Sequence, residues 1–220
     1  WSSDVCSSDL AGANALPSSL THMLFQGGYP ALYSRAVTPQ DWFNNYMATY
    51  IERDVRQLIN VRELGQFQTF VKMCAARTGQ LLNLSALGAD CGISAVTAKQ
   101  WLTVLEASYI VALLRPHHYN FGKRLVKTPK LYFLDSGLAA WLLGIRDATT
   151  LETHASRGAL FETWVFSELY KQSLNSGQTP ALHFWRDSTG NEIDLIDETA
   201  QGLRPIEIKS GATYAKDWVS

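Results

Sequence analysis

The sequence predicts a mixed α+β or α/β chain in three parts: a helical segment, a winged helix-turn-helix, and a C-terminal α/β unit that stops before its sheet is complete. Three observations carry this. Apolar residues recur at three- and four-residue steps from Trp42 to Leu58, the spacing of one helix face. Between residues 66 and 134, three helical patterns precede two short apolar runs, the order of three helices and a two-stranded wing. From Gly158 onward, one long helical pattern is followed by three strand patterns separated by polar turns.

Hydrophobic residues make up 46% and charged residues 18% of the 220, a balance too apolar for a disordered polymer and sufficient for one large or two small cores. The formal net charge of −1 excludes a basic surface spread over the whole molecule, so nucleic-acid contacts must use local patches. No apolar run approaches the roughly 20 residues of a membrane-crossing helix, and no membrane partner is expected. Cys74 and Cys91 fall in apolar helical patterns without CxxC spacing, which suits reduced core residues of a cytoplasmic protein. His22, His117, His118, His154 and His183 show no zinc-ligand spacing.

Residues 1–10, Trp1 to Leu10, have no periodicity and none of the features of a signal peptide. They match the translation of a sequencing-library adapter and are expected to be an assembly artefact, Cys6 included; a natural disordered N-terminus is the alternative. Without Asp4 and Asp9 the net charge moves from −1 to +1. On this expectation the protein extends upstream, and Ser220 ends the chain before the fold ends.

The first part covers 11–60. Gly27-Gly28-Tyr29-Pro30 is a turn signal, and Thr38 is placed to cap a helix with Pro39 at its first position. That helix is expected to run to about Asn60, with Glu52, Arg53, Asp54 and Arg56 on its polar face. The second part covers 61–145. A helix from Gln66 to Thr78 ends at Gly79, a short one from Leu84 to Asp90 is closed by Gly92, and Ser94 caps a third that turns Ala98, Trp101, Leu102 and Leu105 inward. Strands at 110–114 and 131–134 flank a polar hairpin around Asn120, Phe121 and Gly122, and Asp135 caps a helix ended by Gly144. The third part covers 146–220. Its polar opening, 145–157, has the composition of a linker; a helix over 158–174 and strands at 181–185, 192–196 and 203–208 follow.

Four residues in this last part carry chemistry. Glu162 interrupts an apolar helix face, Asp194 lies between Ile193 and Leu195 in a strand, and Glu207 and Lys209 share one face of the next strand. If the two strands are neighbours, Asp194 and Glu207 meet near one end of the sheet, and the helix brings Glu162 to the same point. Carboxylates grouped in this way repel one another unless a hard cation stands between them, and Mg²⁺, with its oxygen ligands and retained waters, suits Asp194 and Glu207 as metal ligands. A lysine beside them is placed to orient or deprotonate a water that attacks a phosphodiester. A Glu-x-Lys strand by itself also describes any half-exposed strand; the force of the pattern lies in the order of helix acid, strand acid and Glu-x-Lys.

The segments Gly158-Ala159-Leu160-Phe161-Glu162, Phe184-Trp185-Arg186-Asp187, Gly190-Asn191-Glu192-Ile193-Asp194 and Pro205-Ile206-Glu207-Ile208-Lys209-Ser210-Gly211 resemble the C-terminal domain of a family of prokaryotic AAA-type ATPases, the domain of unknown function 4143. Gly27 to Pro30 and Tyr50 to Val55 resemble the segments that lead into it, so the likeness runs from about Phe25 to Ser220. It implies a nuclease-like α/β domain of the PD-(D/E)xK kind, truncated at its C-terminus, with Asp194, Glu207 and Lys209 at the motif positions and Glu162 as the helical acid. It also implies an ATPase module, and ATP as its ligand, upstream of this chain, which has no GxxxxGK[ST] phosphate loop.

The implied partners are DNA or RNA and the protein's own ATPase module. Thr97, Lys99 and Gln100 lie near the start of the second helix of the helix-turn-helix motif, while Lys123, Arg124, Lys127 and Lys130 crowd the hairpin beside His117 and His118. These residues suit phosphate contacts around a groove-entering helix. A packing surface for the ATPase module, with the lysines merely solvated, explains them as well. The expected job is ATP-coupled action on nucleic acid with Mg²⁺-dependent phosphodiester hydrolysis. The alternative is a non-catalytic module that binds nucleic acid or a regulatory protein.

Overall fold

The computed structural model describes residues 19–56, 63–118, 128–187 and 189–211. The adapter-like Trp1 to Leu10, the hairpin tip with Asn120, Phe121, Gly122, Lys123, Arg124 and Lys127, and Ala212 to Ser220 lie outside the described residues.

Three helices open the fold: α1 (Leu20–Gln26), α2 (Ala31–Ser34) and α3 (Pro39–Tyr50). Thr38 caps α3 by accepting the Asp41 N–H at 3.1 Å. The helix does not run on as α-helix toward residue 60. Ile51–Val55 forms a π-helical turn, in which the Arg56 N–H reaches the Ile51 carbonyl at 2.9 Å. In an α-helix residues five apart point to different faces; the wider turn brings Val55 round to the side of Tyr50, and both are buried.

Helices α4 (Leu64–Ala75), α5 (Leu84–Asp90) and α6 (Ala95–Ala107) follow. Asn83 and Ser94 cap α5 and α6 by accepting the Ala86 and Thr97 N–H groups, each at 3.0 Å. Phe67 and Phe70 of α4 set their edges against Trp101 of α6 at centroid separations of 5.4 and 5.5 Å. The sheet strands are β1 (Gln80–Leu81), β2 (Val111–Pro116), β3 (Lys130–Phe133), β4 (Leu182–Arg186), β5 (Glu192–Thr199) and β6 (Gly202–Ile206). Between β3 and β4 lie α7 (Ser136–Leu142), α8 (Ala148–Thr153) and α9 (Arg157–Asn175).

One mixed sheet runs in the order β1-β3-β2-β4-β5-β6. It crosses the boundary that the sequence suggests between residues 145 and 146. Arg115 and Pro116 of β2 pair in parallel with His183 and Phe184 of β4, and the His117 N–H donates to the Phe184 carbonyl at 2.6 Å. The β2–β3 hairpin therefore has apolar contacts on both faces. Val111, Leu131 and Phe133 belong to the large core among the helices, while Ala112, Leu114 and Tyr132 join Phe166 of α9, Leu182, Phe184 and Leu195 in a second core. Alternate residues of a strand point to opposite faces, so the hairpin is a partition between two cores.

Two sequence expectations are corrected. The polar stretch 145–157 is not a linker: Asp147 caps α8 by accepting the Thr150 N–H at 2.7 Å, and Leu151 is buried without exposed surface. The last strand ends at Ile206 and does not reach residue 208. The Ile208 N–H is taken by the Asp194 carboxylate at 2.8 Å, which replaces a ladder bond with a side-chain one. Pro205 lies in β6, last in the strand order, where its missing N–H costs no interior ladder bond.

Asp135 fastens the opening of the chain to the sheet. It caps α7 through the Leu138 N–H and also accepts the Gly28 N–H, both at 2.7 Å. Gly27 takes φ +75°, and a Cβ there would lie 2.3 Å from Asp135 Oδ1. Gly27→Ala should thus lower the unfolding free energy by about 2–4 kcal/mol in urea titration, from backbone strain plus overpacking. Gly177→Ala, with φ +74° but open space around it, should cost only about 1 kcal/mol. Equal costs would show that the contact with Asp135 is unimportant.

Candidate functional site

Four elements converge on one group of charges. The Thr78 hydroxyl, buried after α4, meets the Thr163 hydroxyl of α9 at 2.7 Å and accepts the Phe133 N–H of β3 at 3.3 Å. This contact sets the helix against the strand and presents Glu162, the neighbour of Thr163, to Lys130 and Tyr132. The Tyr132 hydroxyl donates to Glu162, and Lys130 Nζ lies 3.4 Å from the same Glu162 oxygen. Lys130 also forms an ion pair with Glu192 of β5 and lies 5.5 Å from the centre of the Phe184 ring.

Asp194 follows two residues after Glu192 on β5. The β5–β6 ladder ends with Leu195 opposite Ile206; Asp194 and Glu207 are the residues just beyond that pair, near enough for the charge of Glu207 to act on Asp194. Glu207 pairs with Lys209 just beyond the strand end, where both side chains are more than a third exposed. The two strands are neighbours, as the sequence pattern requires for Asp194 and Glu207 to meet.

Burial pushes the Glu162 carboxyl above its ordinary pKa, against the opposing pull of the Tyr132 hydroxyl and Lys130. Burial likewise raises Asp194; the Ile208 N–H counteracts this and the charge of Glu207 reinforces it. Burial lowers the Lys130 pKa, but its bond to Glu192 and the charge of Glu162 outweigh that and leave it raised. The bond to Glu207 raises Lys209. Buried, free Cys74 and Cys91 take no part in the cluster, and burial raises both thiols.

Among the described residues, no group of three or more His, Cys, Asp or Glu side chains is placed to hold a metal ion. Asp194 and Glu207 supply two carboxylates, a set compatible with an ion that keeps several waters. Thr97, Lys99 and Gln100 lie in the first two turns of α6, apart from the carboxylates in the chain. Lys99 and Gln100 are exposed, whereas the Thr97 hydroxyl meets that of Ser94 at 2.9 Å. Lys123, Arg124 and Lys127 fall outside the described residues.

Lys130 corrects a sequence expectation. Only 4% of its surface is exposed, so it is not a phosphate-contacting lysine of the hairpin. Tyr132 and Glu192 were also missed. The available signal was parity: Lys130 and Tyr132 share one face of an apolar strand, and Glu192 and Asp194 share one face of another.

A family model described as Domain of unknown function (DUF8612) matches residues 18–149. The chain belongs to the DUF8612 family. A second model, Domain of unknown function (DUF4143), matches residues 157–219. Lys130 and Tyr132 thus come from the DUF8612 segment, and Glu162, Glu192, Asp194, Glu207 and Lys209 from the DUF4143 segment. The uncharacterized proteins Rv2008c of Mycobacterium tuberculosis and Mb2031c of Mycobacterium bovis are each 30% identical to the chain over 198 residues, covering 89% of it. The chain spans 44% of the length of these relatives. No solved structure matches it. Among the described residues no helix is long and apolar enough to cross a membrane.

The pKa of Glu162 offers a direct check on the cluster. A carboxyl raised by folding contributes stability that is present below its unfolded value, about 4.3, and lost as pH rises through the folded value. Tyr132→Phe deletes a donor to the ionised carboxylate and should move the Glu162 titration to higher pH in side-chain carbon NMR. The variant should also lose about 1–2 kcal/mol at neutral pH. A Glu162 titration unchanged in the variant would show that Tyr132 does not act on it.

Proposed function

We propose that the chain is the C-terminal part of a prokaryotic AAA-type ATPase that acts on nucleic acid, and that its PD-(D/E)xK-like site hydrolyses phosphodiesters with a divalent ion such as Mg²⁺. The supporting observation is that Asp194 and Glu207 flank the last β5–β6 pair, Leu195 and Ile206, with the Asp194 carboxylate taking the Ile208 N–H and Lys209 paired to Glu207. Asp194 and Glu207 would hold the ion. When bound, the ion supplies a nucleophilic water at neutral pH and stabilises charge on the phosphate. Lys209, 43% exposed on its side chain, is accessible enough to meet a phosphate oxygen or orient the attacking water. Glu162, held by Tyr132 and Lys130, lies near enough to Asp194 for the charge of one to act on the other. ATP binding belongs, on this reading, to a module outside this chain; the resemblance of the C-terminal segments to AAA-type ATPases supports it.

In a protein containing this chain in full, cleavage of DNA or RNA should require Mg²⁺ or Mn²⁺. Asp194→Asn and Glu207→Gln should each weaken ion binding at least about ten-fold, since each removes a charged oxygen ligand. Lys209→Ala should slow cleavage by about 10²-fold or more while leaving ion binding nearly intact. Folded variants with unchanged cleavage would refute these assignments.

A second reading, a non-catalytic module that binds nucleic acid or a regulatory protein, draws on a different observation: Lys130 and Lys209 already accompany the carboxylates, so the cluster is partly neutralised without an ion. A wild-type protein that binds no divalent ion and cuts nothing would favour it. The winged-helix assignment for α4, α5, α6 and the β2–β3 hairpin has its own test. Duplex DNA should bind with an affinity that falls steeply as salt rises, and Lys99→Ala should reduce the slope of log affinity against log salt by about 1. No binding at low ionic strength would make this segment a protein-contact module.

A further inference from the structure

Lys130 is the least exposed charge of the cluster, with 6% of its side-chain surface accessible, against 43% for Lys209. A polymer phosphate cannot reach an ammonium group so enclosed without opening the fold. Its role must lie in what it holds. It pairs with Glu192, lies 3.4 Å from Glu162 and is backed by the Phe184 ring. Glu162 and Glu192 come from different elements, α9 and β5, and Lys130 bridges them from a third, β3. An ammonium bonded to carboxylate oxygens serves those oxygens as a metal ion would, with the difference that it cannot leave. Asp194 and Glu207 lack such a fixed partner: Asp194 accepts a backbone N–H, and the cation on Glu207 sits on an accessible side chain.

We propose that Lys130, supplied by the DUF8612 segment, is the built-in counter-cation of Glu162 and Glu192, and that by occupying these two carboxylates it limits the cluster to a single divalent ion at Asp194 and Glu207. This rests on the divalent-ion reading above. Lys130 is accordingly a positioning residue. With Lys130 in place the carboxylates of Glu162 and Glu192 are engaged, and Asp194 and Glu207 are left as the one place for an ion.

Mn²⁺ titration followed by electron paramagnetic resonance tests this on the full chain. Wild type should bind one ion. Lys130→Met, which keeps the length of the side chain and removes its charge, should bind Mn²⁺ at least about ten-fold more tightly or take up a second ion, because Glu162 loses its cation and Glu192 keeps only Arg186, 3.6 Å away. Lys130→Arg should behave as wild type, and Glu162→Gln added to Lys130→Met should abolish the gain, which a merely structural lysine would not predict. A folded Lys130→Met protein with wild-type affinity and stoichiometry would overturn the proposal. If Lys130→Met fails to fold, Glu162→Gln alone decides: Mn²⁺ affinity within about ten-fold of wild type supports the proposal, and a larger loss makes Glu162 a ligand and overturns it. A wild type that binds no Mn²⁺ refutes the divalent-ion reading instead, and the gain on Lys130→Met still discriminates for Lys130.

Discussion

The pairing of β2 with β4 is the constraint on which the rest of the molecule depends. Two residue pairs and the His117 N–H bond join a hairpin from the first family segment to a hairpin from the second. Without that seam the β2–β3 hairpin would have one buried face and one open to water, and its apolar residues at alternate positions would have no common purpose. With it, Leu131 and Phe133 enter the helical core and Tyr132 enters the other. Burial on both faces explains why these strands carry almost unbroken apolar sequence, as parallel-sheet strands do.

The same seam explains a buried charge. Removing an ammonium group from water costs several kcal/mol, and attraction to a partner repays this only where geometry and further hydrogen bonds are good. Lys130 has two carboxylate partners and an aromatic face, so the cost is offset locally. The arrangement also ties the three elements to a common geometry, because Lys130 of β3 is shared between Glu162 of α9 and Glu192 of β5. Loss of one partner from a buried pair is characteristically more damaging than replacement of the whole pair by apolar groups. The cluster is therefore better regarded as a means of fixing geometry than as a source of net stability.

Local chemistry was legible in the sequence wherever a short-range rule decides it. Thr38, Ser94 and Asp135 cap helices as their positions before apolar runs require, since a cap depends on residues two or three positions away. Asp194 and Glu162 stand out because each breaks an apolar pattern, and the pairing of the β5 and β6 segments follows from alternation plus a tight turn. Tertiary effects were not legible. Segment 145–157 reads as a linker because α8 has only six residues and two buried positions, Ala148 and Leu151, too few to show a period. Gln80–Leu81 is too short to show alternation. Lys130 follows a basic stretch, which pointed to solvent; only a sheet shared between distant segments buries it. The final strand stops at Ile206 because a side chain 14 residues earlier takes its next N–H, which no local pattern encodes.

The bond from Gly28 to Asp135 has a mechanical side. Asp135 lies two residues beyond the end of β3, so tension on the chain entering α1 is delivered through the Gly28 N–H to the strand that carries Lys130 and Tyr132. Tension on the incoming segment is thus shared between α1, packed on α7 and α8, and the Gly28–Asp135 bond, from which the path to β3 is one carboxylate and two residues of backbone. The capping carboxylate of α7 is therefore also a tie-bar between the opening of the chain and the strand that carries Lys130 and Tyr132.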